Sequence, residues 1–310
     1  MSTQIFITGA TGCIGHYVLD LLKDDPSLTL HLLLRDPKRL RFNPADYPNI
    51  HLHVGNLETI ENHEAILKSV DYLIHIGTDW SNSDYAIKLN VEKTHQLFSY
   101  CHEGVCQRMV YFSTASILGK NNRPIPEAER FGTGYVKSKY LGYQHLQTAP
   151  YKDKVVTVFP TLVFGGDAQH PYSHISSGVV PNVHYLNLLR FIYMDARFHF
   201  SHAKDIAAVA KHVLLNPTPK HDYVLGNPVL TGKKAIEILC KTFGYRIWFR
   251  IKISLVFVLK LAQWFRIEVG PWDRFCLENP YFEYETVTPA SFGLTTAFPT
   301  LESVLADLKA

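Results

Sequence analysis

The strongest constraint on this chain lies at its start. A strand-like run, Gln4–Thr8, leads straight into Gly9-Ala10-Thr11-Gly12-Cys13-Ile14-Gly15, and a helical pattern follows to about Lys23. The glycines are spaced GxxGxxG. Gly9 suits a tight turn, Gly12 leaves room for a pyrophosphate to approach the backbone, and Gly15 lets the helix pack closely on the strand. The helix start offers N–H groups and the positive end of its dipole to phosphates. Glycine turns of this kind also occur without a ligand. The strand before and the helix after are what make this one a candidate dinucleotide cradle.

The next apolar runs are Leu28–Leu34, Ile50–Val54, Val70–Ile76, Arg108–Ser113 and Val155–Phe159. Helical patterns at Glu58–Ser69, Asp84–Cys101 and Gly134–Gln147 separate the later ones. Apolar strands alternating with helices predict an α/β fold: a doubly wound parallel sheet covered on both faces, with its ligand crevice at the strands' carboxyl ends. After Pro160 the rhythm changes. Gly165–Pro181 reads as loop, Phe198–Phe200 and Tyr223–Leu225 as short strands, and Ala203–Leu215 and Lys233–Phe243 as helices. The expected division is a dinucleotide-binding part, 1–165 with 195–225 returning to it, and a smaller C-terminal substrate lobe, 166–194 and 226–310.

Composition excludes several classes. With 46% hydrophobic and 19% charged residues, disorder is not expected. A net charge of +3, scattered along the chain, argues against a nucleic-acid partner. Five cysteines without a CxxC read as reduced thiols in a cytoplasmic protein. His51 and His53 alternate along a strand, and none of the sixteen histidines has a metal-site spacing, so no metal is expected. The N-terminus lacks a secretory pattern. The longest apolar stretch, 251–269, is interrupted by Lys252, Lys260, Arg266 and Glu268. It reads as a buried or amphipathic helix rather than a membrane span, with contact to a membrane surface as the lesser alternative.

Three further motifs carry chemistry. The second strand ends in Leu34-Arg35-Asp36-Pro37, where an acidic residue would bond a ribose 2′-hydroxyl. Arg35, with Lys38 and Arg39 nearby, suits a 2′-phosphate instead, so NADP is expected over NAD. Asp36 is the competing ribose partner, and a solvated basic loop is the plain alternative. Tyr135 and Lys139 are one helical turn apart, and an ammonium there lowers a phenol's pKa. Ser113-Thr114-Ala115-Ser116 places hydroxyls at the end of the fifth strand, where one could hold a substrate carbonyl. Each motif is weak alone: YxxxK recurs by chance, and Ser/Thr turns often satisfy only their own backbone.

Together, in this order, the sequence resembles the extended short-chain dehydrogenase/reductase superfamily, epimerase/dehydratase-like. The resemblance covers roughly residues 3–245 through TGATGCIG, LLRDP, VGNL (Val54–Leu57), HIG (His75–Gly77), NVEKT (Asn90–Thr94), YFSTASILG (Tyr111–Gly119), YVKSK, FPTLVFG (Phe159–Gly165) and HAKDIA (His202–Ala207). LLRDP looks most like the dihydroflavonol reductase-like and hydroxysteroid dehydrogenase-like members. The resemblance implies Tyr135 as general acid/base, Lys139 on the nicotinamide ribose, and Thr114 as the catalytic hydroxyl. It also implies Asn56 and Leu57 beside the adenine, Ile76 and Gly77 along the cofactor's middle, and Pro160 and Val163 beside the nicotinamide. It implies a structural role for Asn90. Asn56 replaces the usual Asp, Thr114 the commoner Ser, and Phe159 an Arg frequent before Pro160.

The leading expectation is an NADP-dependent oxidoreductase acting on a carbonyl/alcohol pair. The alternatives are an epimerase, isomerase or dehydratase that retains NAD, and a non-enzymatic nucleotide sensor. The aromatics of the C-terminal lobe, among them Trp248, Phe249, Trp264, Phe265, Trp272, Phe275 and Tyr284, fit either an apolar ring-bearing substrate or the lobe's own core. Homodimers are frequent in the superfamily, although no residue here locates an interface.

Overall fold

The computed structural model describes residues 2–81, 84–264 and 268–309. Phe265 and Arg266 lie outside the described residues. The eight-stranded sheet is built from β1 (Thr3–Thr8), β2 (Leu28–Leu34), β3 (Ile50–Val54), β4 (Tyr72–His75), β5 (Arg108–Phe112), β6 (Val155–Pro160), β7 (Asp222–Leu225) and β8 (Thr286–Val287). Their spatial order is 8-7-6-5-4-1-2-3, and every neighbouring pair is parallel. The chain winds outward from β1 to β3 and then crosses back to β4. The switch point therefore falls between β1 and β4, where ligand crevices form in such sheets.

Both faces of the sheet are covered. In β1, Ile5, Phe6 and Ile7 are all fully buried, which a strand shielded on one side could not achieve. Ile5 and Ile7 join Val18 and Leu19 of α1 (Cys13–Leu22) and Ile206 and Ala210 of a later helix, Ala203–Leu215. Phe6 joins the opposite face with Leu97 and Phe98 of α2 (Thr94–Glu103) and Val136 and Tyr143 of α3 (Gly134–Thr148). Each such side chain contributes about 1.5–3 kcal/mol by leaving water. A third cluster unites Phe164 and Phe200 with Ala235 and Ile238 of α4 (Gly232–Thr242) and Val304 and Leu305 of α5 (Leu301–Lys309).

Several expected elements differ. The helix expected at Glu58–Ser69 is a 3-10 segment, Leu57–His63, kinked at Thr59, followed by the short helix Glu64–Leu67. The segment Asp84–Cys101 is interrupted by π-helical Lys88–Lys93, which carries Asn90. The supposed loop Gly165–Pro181 contains the helix His174–Val179. β8 comes from the stretch 226–310, yet it pairs with β7 through Val224 and Leu225. Among the described residues, no helix is long and apolar enough to cross a membrane.

Candidate functional site

The carboxyl ends of β1, β4, β5 and β6 lie side by side. At β1 the chain turns through Gly9, whose φ is +76°; a Cβ there would come within 2.6 Å of the Gly77 nitrogen. The glycine bend therefore lies directly against the end of β4. Gly77 donates its N–H to the Thr8 hydroxyl at 3.1 Å, and that hydroxyl pairs with His75 Nδ1 at 2.7 Å. A Cβ on Gly15 would lie 2.2 Å from the Gly9 carbonyl oxygen, so only glycine allows α1 to start this close to the strand. Gly12 is different. A Cβ there would meet only the Gly9 oxygen, at 3.4 Å, and the residue gives α1 no side-chain cap. Its outward side is open, with Thr11, Cys13 and Ile14 half-buried around it. These features fit a dinucleotide pyrophosphate. Burial and the Asp167 carboxylate push the Cys13 thiol up to about 12, which keeps it neutral and unreactive.

A cleft of about 540 Å³ opens beside the bend, between Thr11, Lys38–Arg41 and Ala168–Pro171. The loop on its far side is fixed by His170, which bridges Asp167 at 2.8 Å and Asp20 of α1 at 2.6 Å. Arg35 is exposed and is not among the residues lining this cleft. Asp36 accepts the Lys38 N–H at 3.0 Å and so caps the turn Pro37–Arg39. Asn56 likewise caps a turn, accepting the Glu58 N–H at 2.8 Å, while Leu57 is buried in the core. At β6, Pro160 pairs with Leu225, and the Val163 carbonyl accepts the Ser173 hydroxyl at 2.7 Å.

Thr114, Tyr135 and Lys139 meet at the end of β5. The Thr114 side chain is anchored by the Ser116 N–H at 3.3 Å, and its hydroxyl donates to Ser116 Oγ at 3.2 Å. Burial raises the pKa of the Tyr135 phenol, and the nearby Thr114 hydroxyl works against that rise. Lys139 is 2% exposed, and its ammonium donates to the Phe112 carbonyl at 2.7 Å. Burial pushes this lysine down to about 7. The two groups therefore start from opposite displacements.

Two residues absent from the sequence-based site belong to it. The indole of Trp80 stacks on the Tyr135 ring, with centroids 3.9 Å apart and planes at 17°. Asn90 holds the loop that carries it. Its Oδ1 accepts from Asp79 N at 2.8 Å and from Thr78 Oγ1 at 3.0 Å, and its Nδ2 donates to Asp79 O and Ser138 Oγ. Ser138 in turn donates to the Tyr135 carbonyl at 2.8 Å. Asn90 had a motif behind it, whereas Trp80 is a lone tryptophan in a polar loop and left no signal in the sequence.

Relatives of known type share parts of this chain. A stretch of 129 residues is 34% identical to the highly reducing polyketide synthase sthA of Phaeosphaeria nodorum, covering 37% of this chain and 4% of that protein. Another, of 184 residues, is 26% identical to the 2-alkyl-3-oxoalkanoate reductase of Stenotrophomonas maltophilia, covering 54% of this chain and 53% of that protein. The chain thus matches less than two thirds of either protein's length. In fold, it is similar to the Bordetella bronchiseptica enzyme WbmG, solved with NAD and UDP, at 15% identity and a TM-score of 0.69, covering 100% and 94% of the two chains. Other similar structures also hold NAD. These findings correct the NADP expectation, and with it the NADP-dependent oxidoreductase reading. Arg35, on which that expectation chiefly rested, is exposed and is not among the residues that line the cleft, although Lys38 and Arg39 are. The model of the NAD dependent epimerase/dehydratase family matches residues 5–226, more than half of the chain, and the protein belongs to that family as an extended, Rossmann-type enzyme.

Proposed function

We propose that this protein moves a hydride between NAD and a carbinol or carbonyl carbon and retains its NAD through the cycle, as an epimerase, isomerase or dehydratase does. The observation that carries this reading is the placing of Thr114, the Tyr135 phenol and buried Lys139 together at the end of β5, on the sheet edge that also holds the glycine bend. NAD, when bound, supplies the hydride acceptor and donor. Tyr135 takes the proton from a substrate hydroxyl and later returns it, while Thr114 hydrogen-bonds the same oxygen and fixes its position. Lys139 tunes the phenol and holds the nicotinamide ribose. Gly9, Thr11, Gly12, Cys13, Ile14 and Gly15 cradle the pyrophosphate. Arg35, Lys38, Asn56 and Leu57 border the adenosine, Ile76 and Gly77 the middle of the cofactor, and Pro160 and Val163 the nicotinamide. Residues 166–194 and 226–310, apart from β8, form the substrate side.

A second reading, net carbonyl reduction with NADH, draws on Phe159 in the position before Pro160 and on the reductase named among the relatives. The likeness to dihydroflavonol reductase-like and hydroxysteroid dehydrogenase-like members supports the same reading. Stoichiometry separates the two. The purified protein is denatured and its released nucleotide identified, and absorbance at the NADH band is followed during turnover. The proposal expects NAD to be released and no net NADH to be consumed. One NADH lost per product would replace it with the second reading, and failure to bind NAD would overturn both.

A further inference from the structure

We propose that Trp80 is the specificity-determining residue of the substrate site, presenting a fixed, exposed indole surface that selects substrates whose reacting carbon carries a flat, unsaturated ring. The inference rests on Tyr135 being the acid/base. The indole lies 3.9 Å from the Tyr135 ring, and the His174 ring of the helix His174–Val179 follows at 6.2 Å and 23°. These three rings come from three separate elements, so the row crosses from α3 to the substrate side of the crevice. Despite its stacking, Trp80 remains 64% exposed.

An indole buried for stability would turn its surface inward, as Phe6 and Tyr111 do at 0% and 1% exposure. Trp80 instead keeps a large apolar surface in water, immediately beside the group that handles the proton. Its backbone is not free to move away, because Asn90 bonds both the N–H and the carbonyl of the preceding Asp79. A fixed indole that keeps most of its surface in water gains most from a flat ring laid in offset or edge-on contact with that exposed surface. A substrate ring placed there would bring the carbon attached to it toward the Tyr135 and Thr114 hydroxyls. Among the described residues, the C-terminal rings Trp248 and Trp264 show no comparable contact with the proton-handling residues; Trp248 instead faces Arg190.

The test compares 1-phenylethanol with 2-butanol as ligands, by equilibrium titration of the full chain with and without NAD. Wild type should bind the phenyl alcohol more tightly. Trp80→Leu should shrink the phenyl-over-butyl affinity ratio roughly three- to tenfold, and Trp80→Phe should keep most of it. Equal affinity for the two alcohols in wild type, or an unchanged ratio in Trp80→Leu, would overturn the proposal. If NAD itself fails to bind, the proposed function falls, while the ratio measured without NAD still decides the role of Trp80.

Discussion

The crevice edge and the C-terminal lobe are both rich in aromatic rings, and, Trp80 apart, the fold treats them oppositely. At the edge, Tyr111 and Phe112 are 1% and 4% exposed. In the lobe, Trp248, Phe249 and Trp264 are 76%, 56% and 84% exposed. The buried cluster beneath the lobe is aliphatic and phenylalanine-based instead, joining Ile238 and Leu305 of the lobe to Phe164 and Phe200 of the dinucleotide-binding part. Tyr284 is an exception among the C-terminal rings: its hydroxyl donates to the Ala115 carbonyl at 2.9 Å and ties this segment to the turn after β5. A ring's place in the sequence therefore says little about its use. At the edge, Tyr111, Phe112, Gly9 and Gly15 are fixed by close contacts while Trp80 stays exposed; in the lobe, Trp248, Phe249 and Trp264 are exposed and Gly178 meets no neighbour.

The largest expected effect follows from that difference. Gly15→Val forces a side chain onto the Gly9 carbonyl and should destabilise the protein by roughly 3 kcal/mol or more and abolish NAD binding. Gly178→Ala, in the lobe helix His174–Val179, meets nothing within 4 Å and should be neutral or stabilising by up to about 1 kcal/mol. Thermal unfolding and NAD titration of the two variants check the pair, and similar losses in both would break the contrast.

Lys139 gives a medium-sized effect. Its pKa falls from the ordinary lysine value of 10.5 to about 7 in the fold, so between those values the unfolded chain binds the extra proton. Stability should therefore rise with pH from about 7 toward 10.5, by up to ~1.4 kcal/mol per unit, and the slope vanishes below about 7, where both states hold the proton. Lys139→Met should remove this slope in urea titrations of the nucleotide-free protein. An identical slope in both proteins would show that the lysine is not buried as described.

The smallest effect belongs to the exposed rings. Trp248→Gln and Trp264→Gln should each change stability by less than about 0.5 kcal/mol. A loss of 2 kcal/mol or more in urea unfolding would mean these rings are core after all.

Much of the nucleotide half was legible because strand burial on two faces leaves continuous apolar runs. Leu28–Leu34 and Ile50–Val54 have the boundaries their sequence predicts. The π-helical turn around Asn90 and the two-residue strand Thr286–Val287 were not legible. The first depends on bonds to a loop and a helix distant in sequence, and the second on pairing with Val224 and Leu225. At the site, Tyr135 and Lys139 could be read from their helical spacing and Thr114 from its place at a strand end. Arg35 pointed to a 2′-phosphate by its charge and offset alone, while its absence from the residues lining the cleft is set by the folded loop. Trp80 was invisible, because its partner lies on a helix that only the folded sheet brings near.

The most direct test of the central claim is to measure NAD affinity and the single-turnover hydride-transfer rate side by side in wild type and Tyr135→Phe. The account predicts that NAD binds nearly as tightly without the phenolic oxygen while the rate drops by about 10²-fold or more. Hydride transfer at close to the wild-type rate in that variant would contradict it.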